Sequence, residues 1–122
     1  MTNFSEIKVS RDGERCTISF DRTEALNAIT PTMLEELNAA ATAASEDDGI
    51  RFVVLTGEGR SFSAGVDLKA LGERELTNGK VGDILDLPAR RLTSTLSSMP
   101  KVTIARVNGF CFTGALELAI SC

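Results

Sequence analysis

The chain has 122 residues, 43% of them hydrophobic and 25% charged, with a net charge of −4 and no histidine. This is the composition of one globular domain, without the basic excess that a nucleic-acid partner requires. Without histidine no Ser-His-Asp or Cys-His group can exist within it, so proton transfer falls to a carboxylate, a lysine, a cysteine or water.

In chain order, Ile7 and Val9 alternate with polar residues, Arg11-Asp12-Gly13-Glu14 forms a turn, and Cys16, Ile18 and Phe20 alternate again. This pattern predicts a hairpin with one buried face. A polar connection over Asp21 to Asn27 leads to Thr30-Pro31, a capping hydroxyl followed by proline at the first helical position. Leu34, Leu37, Ala41 and Ala44 then recur at helical spacing to about Glu46. Phe52-Val53-Val54-Leu55, closed by Thr56-Gly57, predicts a strand buried on both faces, as in a parallel sheet covered by helices. Gly57 to Gly65 reads as a loop with a short extended piece at Phe62, and Asp67 to Leu71 as a helix start. Thr77-Asn78-Gly79-Lys80 reads as a polar loop. Ile84, Leu85, Leu92, Leu96 and Met99 restore helical spacing, with Pro88 near the front.

Lys101 to Val107 predicts a second apolar strand, with Val102 and Ile104 on one face. Asn108-Gly109 turns the chain, and Gly114 to Ile120 predicts a buried helix. No glycine, asparagine or basic residue closes that helix before Cys122, so the end reads as cut within it. The order suits an α/β domain. Cys16, Cys111 and Cys122 are odd in number and lack C-x-x-C spacing, which predicts free thiols in a reducing compartment and no metal site. The N-terminus lacks a basic segment followed by an apolar one, and no apolar run approaches the roughly 20 residues of a membrane span. A cytoplasmic chain with no membrane partner is expected.

Two glycine-containing turns follow the two strands, both expected to be buried: Phe62-Ser63-Ala64-Gly65-Val66-Asp67 and Asn108-Gly109-Phe110-Cys111-Phe112-Thr113-Gly114-Ala115. Each leads into a helical segment, whose first N–H groups lack partners inside the helix and lie at the positive end of its dipole. Side by side, two such turns would offer two donors to one oxygen, the arrangement that stabilises an enolate or an oxyanion. The same glycines would equally serve two ordinary tight turns. Glu117 stands among Leu116, Leu118, Ala119 and Ile120, and a carboxylate in apolar surroundings is suited to acid–base work near neutral pH. The alternative is an acid favoured near a helix N-terminus. A capping box fits poorly, because Glu117 lies four residues after Thr113 rather than three. Lys69 is open to either a ligand phosphate or solvent, Asp67 to capping the helix it begins, and Cys111 to packing as a small hydrophobe.

These pieces in this order resemble the crotonase superfamily, the enoyl-CoA hydratase/isomerase family. Ala25-Leu26-Asn27-Ala28, Arg51 to Gly57, Phe62 to Lys69, and Pro100 to Gly109 leading to Gly114 and Glu117 carry the resemblance. It implies a spiral of β-β-α units, here a partial domain over residues 1–122 that stops before the family's helical C-terminal part. It implies an oxyanion hole made by the N–H groups of Val66 and Gly114, with Glu117 as the first of two catalytic glutamates. Coenzyme A, bound as part of an acyl-CoA thioester and not as a resident cofactor, would lie along Ala64, Gly65, Val66, Asp67, Leu68 and Lys69. Ala25 and Leu26 would form the other lip. The family's second glutamate and its trimer-building helices fall outside this sequence, as does any trimer or hexamer they would assemble. Thr113 and Ala115 stand where many hydratases have a denser glycine run, which implies a stiffer turn. The resemblance leaves two expectations: an acyl-CoA hydratase or isomerase that stabilises a thioester enolate, or a non-catalytic acyl-CoA-binding or assembly fragment.

Overall fold

The computed structural model describes residues 3–72 and 86–122; the loop expected at Thr77 to Lys80 and the positions Ile84 and Leu85 lie outside them. Strands β1 (Ile7–Asp12) and β2 (Arg15–Phe20) form the expected antiparallel hairpin, in register from Ile7↔Phe20 to Asp12↔Arg15. Its alternation puts Cys16, Ile18 and Phe20 on the covered face. Helix α1 (Pro31–Glu46) starts where the sequence places it. The Thr30 hydroxyl accepts from the Met33 N–H at 3.0 Å, and Pro31 occupies the first turn. That capping bond satisfies a donor with no partner inside the helix. Met33, Leu34, Leu37, Ala41 and Ala44 face the sheet and are buried. At the other end, Lys101 Nζ donates to the carbonyls of Asp47 (2.5 Å) and Ile50 (2.6 Å), placing a cation where the helix dipole favours one.

Strand β3 (Phe52–Gly57) runs parallel to β2 on one side and to β5 (Val102–Ala105) on the other, giving the order β1-β2-β3-β5. A second, two-stranded sheet pairs β4 (Ser61–Ser63) with β6 (Phe110–Cys111), also in parallel. An isolated parallel bridge between Ile29 and Val66 adds an earlier segment beside it. The described chain is therefore a spiral of three stacked turns. The first comprises β2, the Ile29 segment and α1. The second comprises β3, β4 and the helices α2 (Leu68–Gly72) and α3 (Asp86–Ser98), and the third β5, β6 and α4 (Gly114–Ile120). Each turn lays its strand parallel to the one before, as βαβ-type crossovers require. Phe20 and Phe62 meet edge to face, 5.0 Å between centroids, and join the two sheets at the core.

Two expectations about burial fail. Val102 is 52% exposed and Ile104 42%, because α1 covers the opposite sheet face and β5 is the edge of the described sheet. Phe52, their neighbour in register with Val102, is also open, although Val53, Val54 and Leu55 are buried as expected. Helix α4 is not buried all round: Ala115 and Leu118 enter the core, while Leu116 and Ile120 lie open, the latter 75% exposed. Apolar sequence reports which surface gains from cover, not whether the described residues supply it.

Candidate functional site

The site begins in the connection between β2 and α1. A 3-10 turn over Thr23–Ala25 is followed by two residues in the left-handed region, Leu26 (φ 52°) and Asn27 (φ 57°). Asn27 is fully buried, and its amide is completely used. Its Oδ1 accepts from the Arg22 N–H at 2.8 Å, and its Nδ2 donates to the carbonyls of Glu58 (2.9 Å) and Ser61 (2.8 Å). From β4, the Ser63 hydroxyl donates to the Asn27 carbonyl at 2.7 Å and the Ser61 hydroxyl to the Leu26 carbonyl at 3.0 Å. The Ala64 N–H donates to the Leu26 carbonyl at 3.0 Å. Leu26 and Ala64, which the family resemblance implies are opposite lips of one groove, are thus directly joined.

Past β4 the chain turns at Gly65 (φ 97°), a conformation that a side chain rarely adopts. A Cβ there would also stand 2.5 Å from Thr113 Oγ1 and 3.1 Å from the Phe112 carbonyl oxygen. The second turn is packed directly against the first. Its Phe112 N–H donates to the Ser63 carbonyl at 3.2 Å, and a Cβ on Gly114 would lie 3.7 Å from Val66 Cγ2. In the Ile29–Val66 bridge, Ile29 donates to the Gly65 carbonyl at 2.7 Å and Asp67 donates to the Ile29 carbonyl at 2.8 Å. That pattern spends the peptides on either side of Val66 and turns the Val66 N–H away from Ile29. Gly114 opens α4, so its N–H has no acceptor within the helix. Among the described residues neither N–H donates to a protein acceptor. The structure therefore packs against each other the two turns that carry these N–H groups.

The flanking candidates divide. Ala25, Leu26, Ala64 and Val66 are half-buried, Gly65 is buried, and Leu68 and Lys69 are exposed on α2. Asp67 is committed to the protein: Oδ1 accepts from the Ala70 N–H at 3.0 Å, capping α2, and Oδ2 meets Arg22 Nη1 at 3.0 Å. The bond from Ala70 and the Arg22 guanidinium hold this carboxyl below the usual carboxylate range, against an opposing push from burial. A depressed folded value means that the stabilisation is present above the unfolded value, about 4, and is lost as pH falls through the folded one. Asp67→Asn is accordingly expected to flatten the acid limb of the stability–pH curve and to leave its slope above pH ~5 unchanged, as read from urea midpoints at a series of pH values.

Glu117 departs from expectation. It is exposed, on the open side of α4 with Ile120. Sequence neighbours one position away point elsewhere on a helix; residues three and four apart share a face. Glu117 shares its face with Thr113, Gly114, Ile120 and Ser121, so it stands open to solvent and is not enclosed by hydrocarbon. It lies in the first turn of α4, where the dipole favours an acid, and its N–H donates to the Thr113 carbonyl at 3.1 Å. All three thiols are free. Burial pushes Cys16 and Cys111 up, and Cys122 up to about 11. Among the described residues no group of three metal-ligating side chains gathers, and no helix is long and apolar enough to cross a membrane.

Sequence reasoning missed Arg22, Asn27 and the backbone of Thr113. Asn27 had one usable signal, since asparagine is among the few residues that accept a left-handed backbone. Thr113 had none: a β-branched residue at φ 46°, ψ −113° runs against its preference.

A spiral of stacked β-β-α turns that brings two glycine turns together at one end is the crotonase architecture. Residues 12–122 match the family model described as enoyl-CoA hydratase/isomerase, and the chain belongs to that family. It is similar to a mitochondrial enoyl-CoA hydratase of Pongo abelii, at 34% identity over 98% of this chain and 41% of that one. Among solved structures it resembles an enoyl-CoA hydratase/isomerase from Xanthobacter autotrophicus, at 36% identity and a TM-score of 0.82, over 98% of this chain and 45% of that one. A putative enoyl-CoA hydratase/isomerase from Legionella pneumophila superposes with a TM-score of 0.89 at 28% identity, over 98% and 46% of the two chains. The chain spans about two fifths of the length of the curated relatives it matches.

Proposed function

We propose that this chain holds the carbonyl oxygen of an acyl-CoA thioester between the N–H groups of Val66 and Gly114. The observation that carries this reading is the contact between the two turns, which leaves those two donors adjacent and without protein acceptors. Donors aimed at a thioester oxygen draw charge from the conjugated acyl chain, make its β-carbon electrophilic and stabilise the enolate formed when water adds. Donors of this kind contribute roughly a hundredfold to a thousandfold each to the rate. Coenzyme A enters as part of the substrate. Its chain runs past Ala64, Val66 and Leu68, with Ala25 and Leu26 opposite and Lys69 available to its phosphates.

In the whole protein, hydration or isomerisation would use Glu117 to move a proton or to position water. A trimer or hexamer would complete its surroundings. The exposure of Glu117 favours a second reading for the 122-residue chain taken alone, that it binds the thioester without turning it over, since an open carboxylate neither excludes water nor orients a substrate. Titration of this chain with crotonyl-CoA separates the two. Saturable binding without product supports the binding reading, whereas product formation removes it. In the whole protein, Glu117→Gln is expected to lower kcat by about a hundredfold or more with KM little changed. An unchanged kcat would remove Glu117 from the chemistry.

A further inference from the structure

Arg22 lies outside both glycine turns, yet its guanidinium reaches the two backbone segments that aim the Val66 N–H. Nη1 donates to the Ala28 carbonyl at 2.7 Å and to Asp67 Oδ2 at 3.0 Å. Ala28 immediately precedes Ile29, and Asp67 immediately follows Val66. One nitrogen therefore spans both sides of the Ile29–Val66 bridge at the point where they meet. Nε pairs with Glu6 Oε1 at 3.2 Å, and Glu6 Oε2 accepts from the Thr30 hydroxyl at 2.7 Å, which extends the clamp to the start of α1. The three charged side chains are largely shielded, with 15% to 19% of their surface exposed, so water competes little for these bonds.

We infer that Arg22 is a positioning residue for the oxyanion donor at Val66: it locks the register of the Ile29–Val66 bridge and so the direction of that N–H. This rests on the oxyanion reading above. A lysine in its place would keep the charge, but its single nitrogen cannot stand at both the Nη1 position, against Ala28 and Asp67, and the Nε position, against Glu6. Arg22 touches no ligand in this account, and its influence passes entirely through the bridge.

Two measurements on the 122-residue chain test it. In the first, a conjugated dienoyl-CoA is titrated in and its absorption is read once bound, because donors on the thioester oxygen shift that band to longer wavelength. The expected result is a clear shift with the wild-type chain and a shift reduced by about half or more per bound ligand in Arg22→Met, with Arg22→Lys intermediate. Equal shifts per bound ligand in all three would overturn the inference. No shift in the wild-type chain would instead overturn the oxyanion reading. The second measurement needs no ligand and stands in either case: hydrogen exchange at Ile29 and Asp67, whose N–H groups close the bridge, compared with Val53 in the central strand. Arg22→Lys is expected to speed exchange at the two bridge amides by about tenfold or more while Val53 changes little. Uniform acceleration of all three would show a merely structural role and sink the inference, and this comparison remains readable if Arg22→Met fails to fold.

Discussion

Asn27→Asp is expected to destabilise the chain by about 3–5 kcal/mol near neutral pH, a large part of the 5–15 kcal/mol typical of a domain. The two residues have nearly the same shape, so packing is not at issue. The effect comes from replacing two donors with an acceptor. The Asn27 amide gives both hydrogens to the carbonyls of Glu58 and Ser61, inside a site with no solvent access. An aspartate oxygen there would face two carbonyl oxygens as a buried charge. Protonation would restore one of the two bonds, so the deficit is expected to shrink as pH falls, opposite in sign to the acid sensitivity contributed by Asp67. Asn27→Ala leaves the Arg22 N–H and the Glu58 carbonyl without their partner, while the Ser61 carbonyl keeps Asn108 Nδ2, and it puts a Cβ-only residue at φ 57°, for a loss of about 2–4 kcal/mol with no such pH trend. Neither tryptophan nor tyrosine is present, so urea unfolding is best followed by far-ultraviolet circular dichroism. Equal midpoints for Asn27→Asp and wild type at pH 7 would refute the account.

That buried amide also marks the limit of what the sequence discloses. The hairpin, α1 with its Thr30 cap, the parallel β3 and the short β4 are legible because periodicity, capping and glycine punctuation act over a few residues. The two turns were legible as turns. Their contact was not, because it depends on β4 lying parallel to β6 across nearly fifty residues of chain, a pairing that no local pattern encodes. Resemblance to a family supplied the pairing instead. The same limit explains Glu117, where apolar neighbours along the chain suggested burial, yet the helix turns Leu118 into the core and leaves Glu117 open. Arg22 shows a third case. A charged residue in a polar connection reads as solvated, and only the fold reveals that a carbonyl and two carboxylates converge on it.

The junction of the two turns yields a paired prediction with opposite signs. Gly65→Ala is expected to cost about 2–4 kcal/mol, from a side chain forced to φ 97° and a Cβ pressed against the Phe112 carbonyl and Thr113. Thr113→Gly is expected to stabilise by about 1–2 kcal/mol. Thr113 holds a backbone conformation natural to glycine, and its side chain is exposed, so little packing is lost with it. Because Thr113 Oγ1 occupies the space that a Cβ on Gly65 would need, the two changes should couple. Gly65→Ala should cost about 0.5–1 kcal/mol less when Thr113 is already glycine. The rest of its cost should persist, since φ at residue 65 and the Phe112 carbonyl are untouched. Additive effects would mean that the turns do not press on each other, and a destabilising Thr113→Gly would mean that its backbone is not strained. The pair also separates stability from the proposed binding. Gly65→Ala moves the peptide leading to Val66 and should weaken capture of an acyl-CoA thioester even in the stabilised Thr113→Gly background, where the fraction folded is restored. A loss that follows the fraction folded alone would detach Gly65 from the proposed donor at Val66. A loss that remains after folding is restored would tie thioester binding to the position of one N–H.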